Sequence, residues 1–402
     1  MAITGVCTPK GFRAAGLHCG IRKNQTKKDL ALVLADAPCA AAAVYTQNKV
    51  YGAPITVTRA HLANGVAQAM LCNSGNANTC NADGVEKAET LCDMLARAAG
   101  IDAGDVIIAS TGVIGQPLTL DPIQAAMPSL VAAASAQGGE DAAQAIMTTD
   151  RAIKQASAVC TVDGVPVTLG AMAKGSGMIA PNMATLLCFI TTDAAITPPM
   201  LQKALTEAVA DTFNMLIVDG DTSTNDMVSA LASGLAGNPV IDRDGPALAA
   251  FTQAMRGMAE GLTRAMAKDG EGATKLVTCH VTGAPDAAIA RAVARAVIAS
   301  PLCKTAMFGA DANWGRVLCA IGYAPGDFSV QHVAVDIASA AGRVAVCRSG
   351  RGVPFSEEEA KTILNPDEVT WHIDLGLGVA AATAWGCDLS YEYVRINGDY
   401  RS

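Results

Sequence analysis

Apolar and polar residues recur along the chain at two different spacings, and together they predict a mixture of strands and helices. Runs rich in aliphatic residues at 68–75 and 105–115 predict strands that end in polar, glycine-containing loops. The segment 29–45 is expected to form a strand, a loop and then a second strand or short helix. The segment 84–100 carries apolar residues at helical spacing and ends at Gly100, which suits a helix C-cap.

The second half of the chain repeats this mixture. Helical patterns at 198–216, 246–270 and 286–300 flank a strand pattern at 271–283, and a proline opens the first of these helices. A loose, glycine-rich loop precedes the apolar run that starts at Thr185. Strands that alternate with helices in this way predict an α/β fold.

Composition narrows the class of protein and of partner. Hydrophobic residues make up 51% of the 402 residues but aromatic residues only 4%, so we expect a core of small and aliphatic side chains. The net charge of −8, without a block of basic residues, disfavours nucleic acid and anionic membranes as partners. The start of the sequence lacks a signal-peptide core and no run of about eighteen apolar residues occurs, so a cytoplasmic protein without membrane helices is expected.

Cysteine and histidine spacing disfavours metal, disulfide and catalytic-triad chemistry. The thirteen cysteines are scattered without a C-x-x-C pair, which is typical of reduced thiols in an apolar core, and Cys80 has no assignable role. None of the five histidines lies in a metal-binding pattern. Neither a phosphate-binding P-loop nor a G-x-S-x-G nucleophile elbow occurs, so no metal and no cofactor is expected.

Glycine-containing loops with serine or threonine side chains are the remaining candidates for a catalytic site. The sequence STGVIG at 110–115 offers the N–H groups of Thr111 and Gly112 to an oxyanion, although an isolated loop of this kind is more often a simple turn. Thr185 at a strand start is ordinarily a β-forming residue. If the Ala184–Thr185 bond were cut, the new α-amine, with a pKa of roughly 7.7–8.0, would act as general base to the Thr185 hydroxyl.

Eight sequence motifs occur in order across almost the whole chain. They are NSGNAN (73–78), ASTGVIG (109–115), MTTD (147–150), KGSGMIAPNMATLL (174–187), DGDTSTND (219–226), KDGEGATK (268–275), GADANWGR (309–316) and YVRINGDY (393–400). In these motifs the chain resembles the glutamate N-acetyltransferase family of arginine biosynthesis, also called ornithine acetyltransferase. The resemblance implies a layered α-β-β-α sandwich, the fold that this family shares with self-cleaving aminopeptidases.

The same resemblance implies that the chain cleaves itself between Ala184 and Thr185. The products would be an α chain, 1–184, and a β chain, 185–402, assembled as an α2β2 heterotetramer. Thr185 would then be the nucleophile of an acetyltransferase. Through an acetyl-Thr185 intermediate it would move the acetyl group from N2-acetylornithine to glutamate and so give ornithine and N-acetylglutamate.

Further site residues are implied in the same way. Thr111 and Gly112 would form the oxyanion hole. Two roles follow from residue type rather than from the resemblance: the Lys174 cation can bind the α-carboxylate that ornithine and glutamate share, and Glu271 can face the ornithine ammonium. From its sequence context alone, Glu271 suits a surface loop. The implied substrate-binding positions are Thr148, Lys174, Thr185, Glu271, Asn397 and Ser402.

Two alternatives stay open at the level of sequence. A self-cleaving aminopeptidase or amidohydrolase of the same fold is the alternative function, but those relatives usually use serine where this chain has Thr185. Acetyl-CoA as a second acetyl donor to glutamate is also open, because coenzyme A sites need no P-loop and no motif in the chain decides the matter.

Overall fold

Strands and helices alternate along the chain in a computed structural model that describes residues 5–180 and 186–398. The strands are β1 Phe12–Leu17, β2 Leu30–Tyr45, β3 Val66–Asn76, β4 Val106–Val113, β5 Lys154–Val162, β6 Val165–Lys174, β7 Leu187–Thr192, β8 Leu216–Ile217, β9 Met227–Ala232, β10 Leu276–Ala284, β11 Ala334–Ser339, β12 Gly342–Arg348, β13 Arg351–Gly352, β14 Glu368–Asp374 and β15 Ala380–Cys387. The helices are α1 Ala53–His61, α2 Gly84–Ala99, α3 Asp121–Ala133, α4 Gly139–Ala145, α5 Pro198–Ala210, α6 Pro246–Lys268, α7 Ala287–Ala299, α8 Pro301–Phe308, α9 Trp314–Gly322, α10 Glu357–Leu364 and α11 Tyr391–Gly398.

The larger sheet is organised by β2, a single strand of 16 residues. The sheet has the order β4-β3-β2-β9-β7-β6-β5, with β1 paired to β2. The first half of β2 lies between β1 and β3, whereas residues 40–45 pair with β9. The register shifts between Leu34 and Cys39, where residues 36–38 are exposed. The prediction of a loop within 29–45 is therefore wrong, because the segment forms one bent strand. Pro38 lies in a bulge of that strand, where no ladder hydrogen bond is lost.

Alternate residues of this bent sheet enter different hydrophobic cores. Leu30, Leu32 and Leu34 pack against α1, α2 and α3. Val33 faces inward and shares a core with Phe189 of β7. On the far side of β7, Ile190 packs with α5 and α6. The layers therefore follow the order helices, strands, strands, helices. This confirms the predicted α/β class and its α-β-β-α sandwich.

A second sheet completes the fold. Its seven strands have the order β13-β12-β11-β14-β10-β15-β8, and β10 pairs parallel with β14. Phe251 and Met255 of α6 share a core with Trp371 of β14, so the long helix packs between the two sheets. Among the described helices none is both long and apolar enough to cross a membrane. All thirteen cysteines are free thiols, and most are buried as predicted.

Helix ends follow local chemistry. The predicted helix at 84–100 is confirmed, and Gly100 at its end has a φ of 71°, the left-handed conformation that a C-cap glycine adopts. The predicted helix at 198–216 stops at Ala210, because the chain turns at Asp211 and then enters β8. The division between 1–184 and 185–402 stays a prediction. It runs through the larger sheet, since Lys174 of β6 pairs with Leu187 of β7.

Candidate active site

Six of the predicted site residues line one cavity of about 110 Å³. They are Thr111, Gly112, Thr148, Lys174, Glu271 and Asn397. The fold brings them from the ends of β4 and β6, from the loop after α4, from the turn after α6 and from α11. The remaining predicted residues, Ala184, Thr185 and Ser402, lie outside the described residues. Leu186, which follows Thr185 in the chain, accepts a hydrogen bond from Met227 N at 3.1 Å through its carbonyl oxygen.

The backbone of the neighbouring strand leaves no room for a side chain at Gly112. β3 and β4 pair in parallel until their register becomes irregular at Gly75 and Asn76, opposite Gly112. Gly112 has a φ of +133°, and a Cβ there would lie 2.4 Å from the carbonyl carbon of Gly75. Any side chain would collide with this backbone, so only glycine keeps the loop in place.

Lys174 is the cation of the cavity. Its Nζ donates a hydrogen bond to Thr111 Oγ1 at 3.3 Å. Burial lowers the pKa of Lys174, Asp150 opposes that shift, and Lys154 adds to it. Because Lys174 donates to Thr111 Oγ1, the hydroxyl proton of Thr111 is available to donate elsewhere. The pair therefore presents a cation and a hydroxyl donor to any negatively charged group in the cavity.

Asp150 holds two walls of the cavity together. Its carboxylate accepts hydrogen bonds from Thr148 N at 2.9 Å and Gly175 N at 2.8 Å. Lys154 Nζ lies 2.7 Å from Asp150 Oδ1 and 2.6 Å from an oxygen of Asp269. Burial would raise the pKa of Asp150, but Lys174 and Lys154 outweigh burial and lower it to about 2. Sequence reasoning assigned no role to Asp150, although it closes the MTTD motif.

Glu271 adds a carboxylate to the cavity that Lys174 also lines. Its backbone N–H donates to Ser176 O at 2.8 Å, and its Oε2 accepts from Asn397 Nδ2 at 2.7 Å. A Cβ on Gly177 would lie 2.3 Å from the Glu271 carboxylate, so glycine is needed for this approach. Glu271 is only 9% exposed and is therefore part of the cavity wall rather than of a surface loop.

Asn225 joins β4 to two loops at the same cavity. Its amide nitrogen donates to Ala77 O at 2.6 Å and to Ser110 O at 3.0 Å. Its Oδ1 accepts from the hydroxyls of Thr79 and Thr224, each at 2.6 Å. All four hydrogen-bonding positions of the amide are thus used. Asn225 fixes the segment that leads into Thr111, a role that became visible only in three dimensions.

Asp226 is a buried carboxyl group beside the start of β7. It is 2% exposed, and its Oδ2 has no hydrogen-bond partner among the described residues. Burial raises its pKa well above the usual range, although hydrogen bonds from Ser223 and Leu186 and the charge of Lys174 act in the opposite direction. Burial therefore makes the Asp226 carboxyl group easier to protonate than an exposed aspartate. No group of three His, Cys, Asp or Glu side chains in the described chain is arranged to hold a metal ion.

Comparison with known proteins identifies the family of the chain. The ArgJ family model matches residues 13–402. The arginine biosynthesis bifunctional protein ArgJ of Symbiobacterium thermophilum is 49% identical over 400 residues, which is 99% of this chain and 98% of that protein. The protein of the same name from Geobacillus kaustophilus is 46% identical, over 99% of this chain and 96% of that protein.

One solved structure of similar sequence is the Bacillus halodurans arginine biosynthesis bifunctional protein ArgJ. It is 46% identical and covers 53% of this chain and 98% of that chain, with a TM-score of 0.49. The family match and the full-length relatives agree with the eight motifs and with the cavity that those motifs surround. The chain belongs to the ArgJ family.

Proposed function

We propose that this chain is a self-cleaving acetyltransferase that transfers the acetyl group of N2-acetylornithine to glutamate in arginine biosynthesis. The observation that carries the proposal is the cavity itself. There a cation, a hydroxyl donor and an anion lie together, namely Lys174, Thr111 and Glu271. Leu187 pairs with Lys174, so the chain on either side of Thr185 is tied to the cavity wall.

Cleavage between Ala184 and Thr185 is an N-to-O acyl shift followed by hydrolysis. The Thr185 hydroxyl oxygen attacks the Ala184 carbonyl carbon, an ester bond forms, and the peptide C–N bond breaks. The hydroxyl proton ends on the released amine of Thr185. Water then cleaves the ester and leaves Thr185 with a free α-amine beside its own hydroxyl.

Turnover uses the same hydroxyl twice. The α-amine accepts the proton of Thr185 Oγ while the oxygen attacks the acetyl carbonyl of N-acetylornithine. Ornithine leaves with that proton on its amine, and acetyl-Thr185 remains. The glutamate amine then attacks the acetyl ester and regenerates Thr185. The N–H of Gly112 and the hydroxyl of Thr111 stabilise the oxyanion of each tetrahedral intermediate.

Substrate recognition follows from the two charges of the cavity. Lys174 binds the α-carboxylate that ornithine and glutamate share. Glu271, held by Asn397, pairs with the side-chain ammonium of ornithine. Thr148 and Ser402 add polar contacts. The relatives are named bifunctional. For this chain we propose a second reaction, in which acetyl-CoA supplies the acetyl group for glutamate. We also propose that the two fragments assemble as an α2β2 heterotetramer.

Mass spectrometry of the purified chain tests the proposal directly. We expect fragments 1–184 and 185–402, with threonine at the start of the second. With N-acetylornithine alone, one acetyl group should appear on the second fragment, and added glutamate should remove it as N-acetylglutamate. Thr185→Ala should remain one inactive chain, whereas Thr185→Ser should still be cleaved. Cleaved or active Thr185→Ala protein would contradict the mechanism, and loss of the acetyl group to water at the same rate without glutamate would favour a hydrolase.

A further inference from the structure

The carboxyl group of Asp226 is buried, and the hydrogen bonds of the described structure use it only in part. Asp226 is 2% exposed, and its Oδ2 has no hydrogen-bond partner among the described residues. Folded proteins rarely bury a polar oxygen without a partner, because the hydrogen bonds it made to water are then lost without replacement. An oxygen of this kind beside a reaction centre is a candidate for a role in the reaction.

Asp226 lies at the same level of the larger sheet as Leu186. The strands β7 and β9 are parallel neighbours, and Leu187 pairs with Met227. Met227 N donates to Leu186 O at 3.1 Å, so the contact between the two strands extends one residue further. The Leu186 N–H in turn donates to the Asp226 carboxylate. Strand pairing therefore places the Asp226 carboxyl group beside the residue that follows Thr185 in the chain.

Chain connectivity brings the nitrogen of the proposed nucleophile near this carboxyl group. Thr185 lies outside the described residues, but three covalent bonds join its nitrogen to Leu186 N, so the two nitrogens are at most about 4 Å apart. Before cleavage the Thr185 nitrogen is a peptide amide. After cleavage it is an amine, which becomes an ammonium when it takes a proton. Cleavage therefore creates a charged hydrogen-bond donor near an oxygen of Asp226 that lacks one.

Lys174 is the charged side chain that acts on the Asp226 carboxyl group. Burial raises the pKa of Asp226 well above its usual range, and the charge of Lys174 opposes this shift. Further titratable groups act on Lys174 or line the same cavity, namely Asp150, Lys154, Cys72 and Glu271. The Cys72 thiol has a pKa of about 12 and stays neutral at working pH. A second cation beside Asp226 would favour its ionised form, since the buried charge would gain a partner.

We infer that Asp226 is a positioning residue for the proposed nucleophile, and that its Oδ2 accepts a hydrogen bond from the ammonium of cleaved Thr185. The inference rests on the proposed self-cleaving function. During attack on the acetyl carbonyl, the amine takes the proton of Thr185 Oγ, and the resulting ammonium donates to Asp226. The proton then passes to the departing ornithine amine. Asp226 forms no covalent bond and keeps no proton, but it strengthens the amine as a base by stabilising its protonated form.

The pH dependence of turnover tests this role. Asp226→Asn keeps the size of the side chain and removes its charge, and Asp163→Asn, in the exposed turn between β5 and β6, is the control. Both variants should still give fragments 1–184 and 185–402, because cleavage does not use the free amine. The acid limb of kcat/KM for N-acetylornithine should lie about one pH unit lower in Asp226→Asn than in the control. Above that limb kcat should fall about tenfold, because a weaker base accepts the proton, while KM stays at the control level.

Thermal unfolding distinguishes the ammonium contact from an ordinary packing role. Asp226→Asn is compared in the cleaved protein and in the uncleaved Thr185→Ala chain. In the uncleaved chain no ammonium is present, so the substitution should leave Tm unchanged or raise it. In the cleaved protein it should lower Tm by about 2 °C at pH 7. At about pH 10, where the amine is neutral, that loss should disappear.

The unmodified protein supplies a measurement that does not depend on the variant. The pH dependence of labelling of the Thr185 α-amine, followed by mass spectrometry, gives the pKa of that amine in the cleaved protein. We expect a higher pKa in the folded protein than in the same protein unfolded in urea, because Asp226 favours the ammonium. The nearby charge of Lys174 would have the opposite effect, so the direction of the shift is decisive.

Each other result points to a particular failure. A cleaved Asp226→Asn protein with the acid limb and kcat of the control would overturn the inference while the proposed function stands. Equal loss of Tm in the cleaved and uncleaved chains would make Asp226 a packing residue only. An amine pKa that is no higher in the folded protein than in urea would also overturn the inference. If the unmodified chain is never cleaved, the proposed function fails as well.

Discussion

Lys174 Nζ donates to the hydroxyl oxygen of Thr111, so the cation of the cavity fixes the direction in which the hydroxyl can donate. Thr111 ends the buried part of β4, and Lys174 ends β6. The bond therefore links two strands of the larger sheet that are not neighbours in the strand order. It gives the proposed oxyanion hole a hydroxyl proton that is aimed away from Lys174 and is available to the cavity.

Removing the Thr111 hydroxyl should slow acetyl transfer without unfolding the protein. Thr111→Val keeps the side-chain volume and removes the donor, so kcat should fall about 100-fold, the usual effect of losing one oxyanion-hole donor. KM for N-acetylornithine should change little, because the lost bond acts on the transition state. Thr111→Ser, which keeps the hydroxyl, is the matched control. Steady-state kinetics check this, and an unchanged kcat in Thr111→Val would remove Thr111 from the oxyanion hole.

Alanine substitutions at Gly112 and Gly115 distinguish the effect of backbone strain from that of a steric clash. Gly112 and Gly115 both have positive φ, +133° and +79°, but only at Gly112 would a Cβ meet backbone atoms. Gly115→Ala should cost about 1–2 kcal/mol of the free energy of unfolding and keep activity, since nothing lies within 4 Å. Gly112→Ala should cost more and abolish transfer, because Gly75 and Asn76 must move. Urea denaturation and activity are measured together, and equal behaviour of the two variants would contradict this account.

Sequence patterns predict the local elements of this fold better than their assembly. The helix ending at Gly100 follows from apolar spacing and one glycine, because both act over a few residues. The bend in β2 was missed, since Pro38 signals a loop and only pairing with two different neighbours keeps the strand continuous. The grouping of Lys174 with Glu271 came from family resemblance, not from spacing. Asp150 and Asn225 act through contacts with distant backbone atoms, so no local pattern reveals them.

Protonation of Asp150 at low pH should lower the free energy of unfolding of the protein. Its pKa of about 2 in the folded protein lies below the unfolded value of roughly 3.9. Its contribution to stability is therefore complete above about pH 4 and is lost as the pH falls through about 2. Asp150→Asn should lower the free energy of unfolding at pH 7 by about 3 kcal/mol, because Lys154 loses one of two buried partners. Between pH 4 and pH 2 the variant should lose less stability than the unmodified protein.

The surface pair of Asp141 with Lys28 is the control for the buried pair. Both carboxylates contact a lysine, but Asp141 is more than half exposed, so Asp141→Asn should cost less than about 1 kcal/mol. Urea titrations at pH 7 and pH 3 measure both variants. If Asp150→Asn and Asp141→Asn lost the same stability at pH 7, the buried carboxylate would not be the clamp between Thr148 and Gly175.

Loss of the Glu271 charge should weaken binding of N-acetylornithine but not of glutamate. Glu271→Gln keeps an oxygen that accepts from Asn397 and preserves the size of the side chain, so the wall of the cavity should persist. The substitution removes the charge that pairs with the side-chain ammonium of N-acetylornithine. A hydrogen bond to a charged group contributes about 1.5–3 kcal/mol, so the KM for N-acetylornithine should rise about 10- to 100-fold. Glutamate carries a negative side chain, and its KM should stay constant or fall once a like charge is removed.

Kinetics with each substrate varied in turn distinguish this role from a merely structural one. A disturbed cavity would raise both KM values and lower kcat, whereas loss of one charge changes only the pairing with the ammonium. Glu357→Gln, on the surface at the start of α10, controls for the change in net charge. Parallel increases in both KM values would assign Glu271 to the support of Ser176 and Asn397. A higher KM for N-acetylornithine with an unchanged or lower KM for glutamate would identify Glu271 as the group that distinguishes the donor from the acceptor, within a cavity where Lys174 binds the part they share.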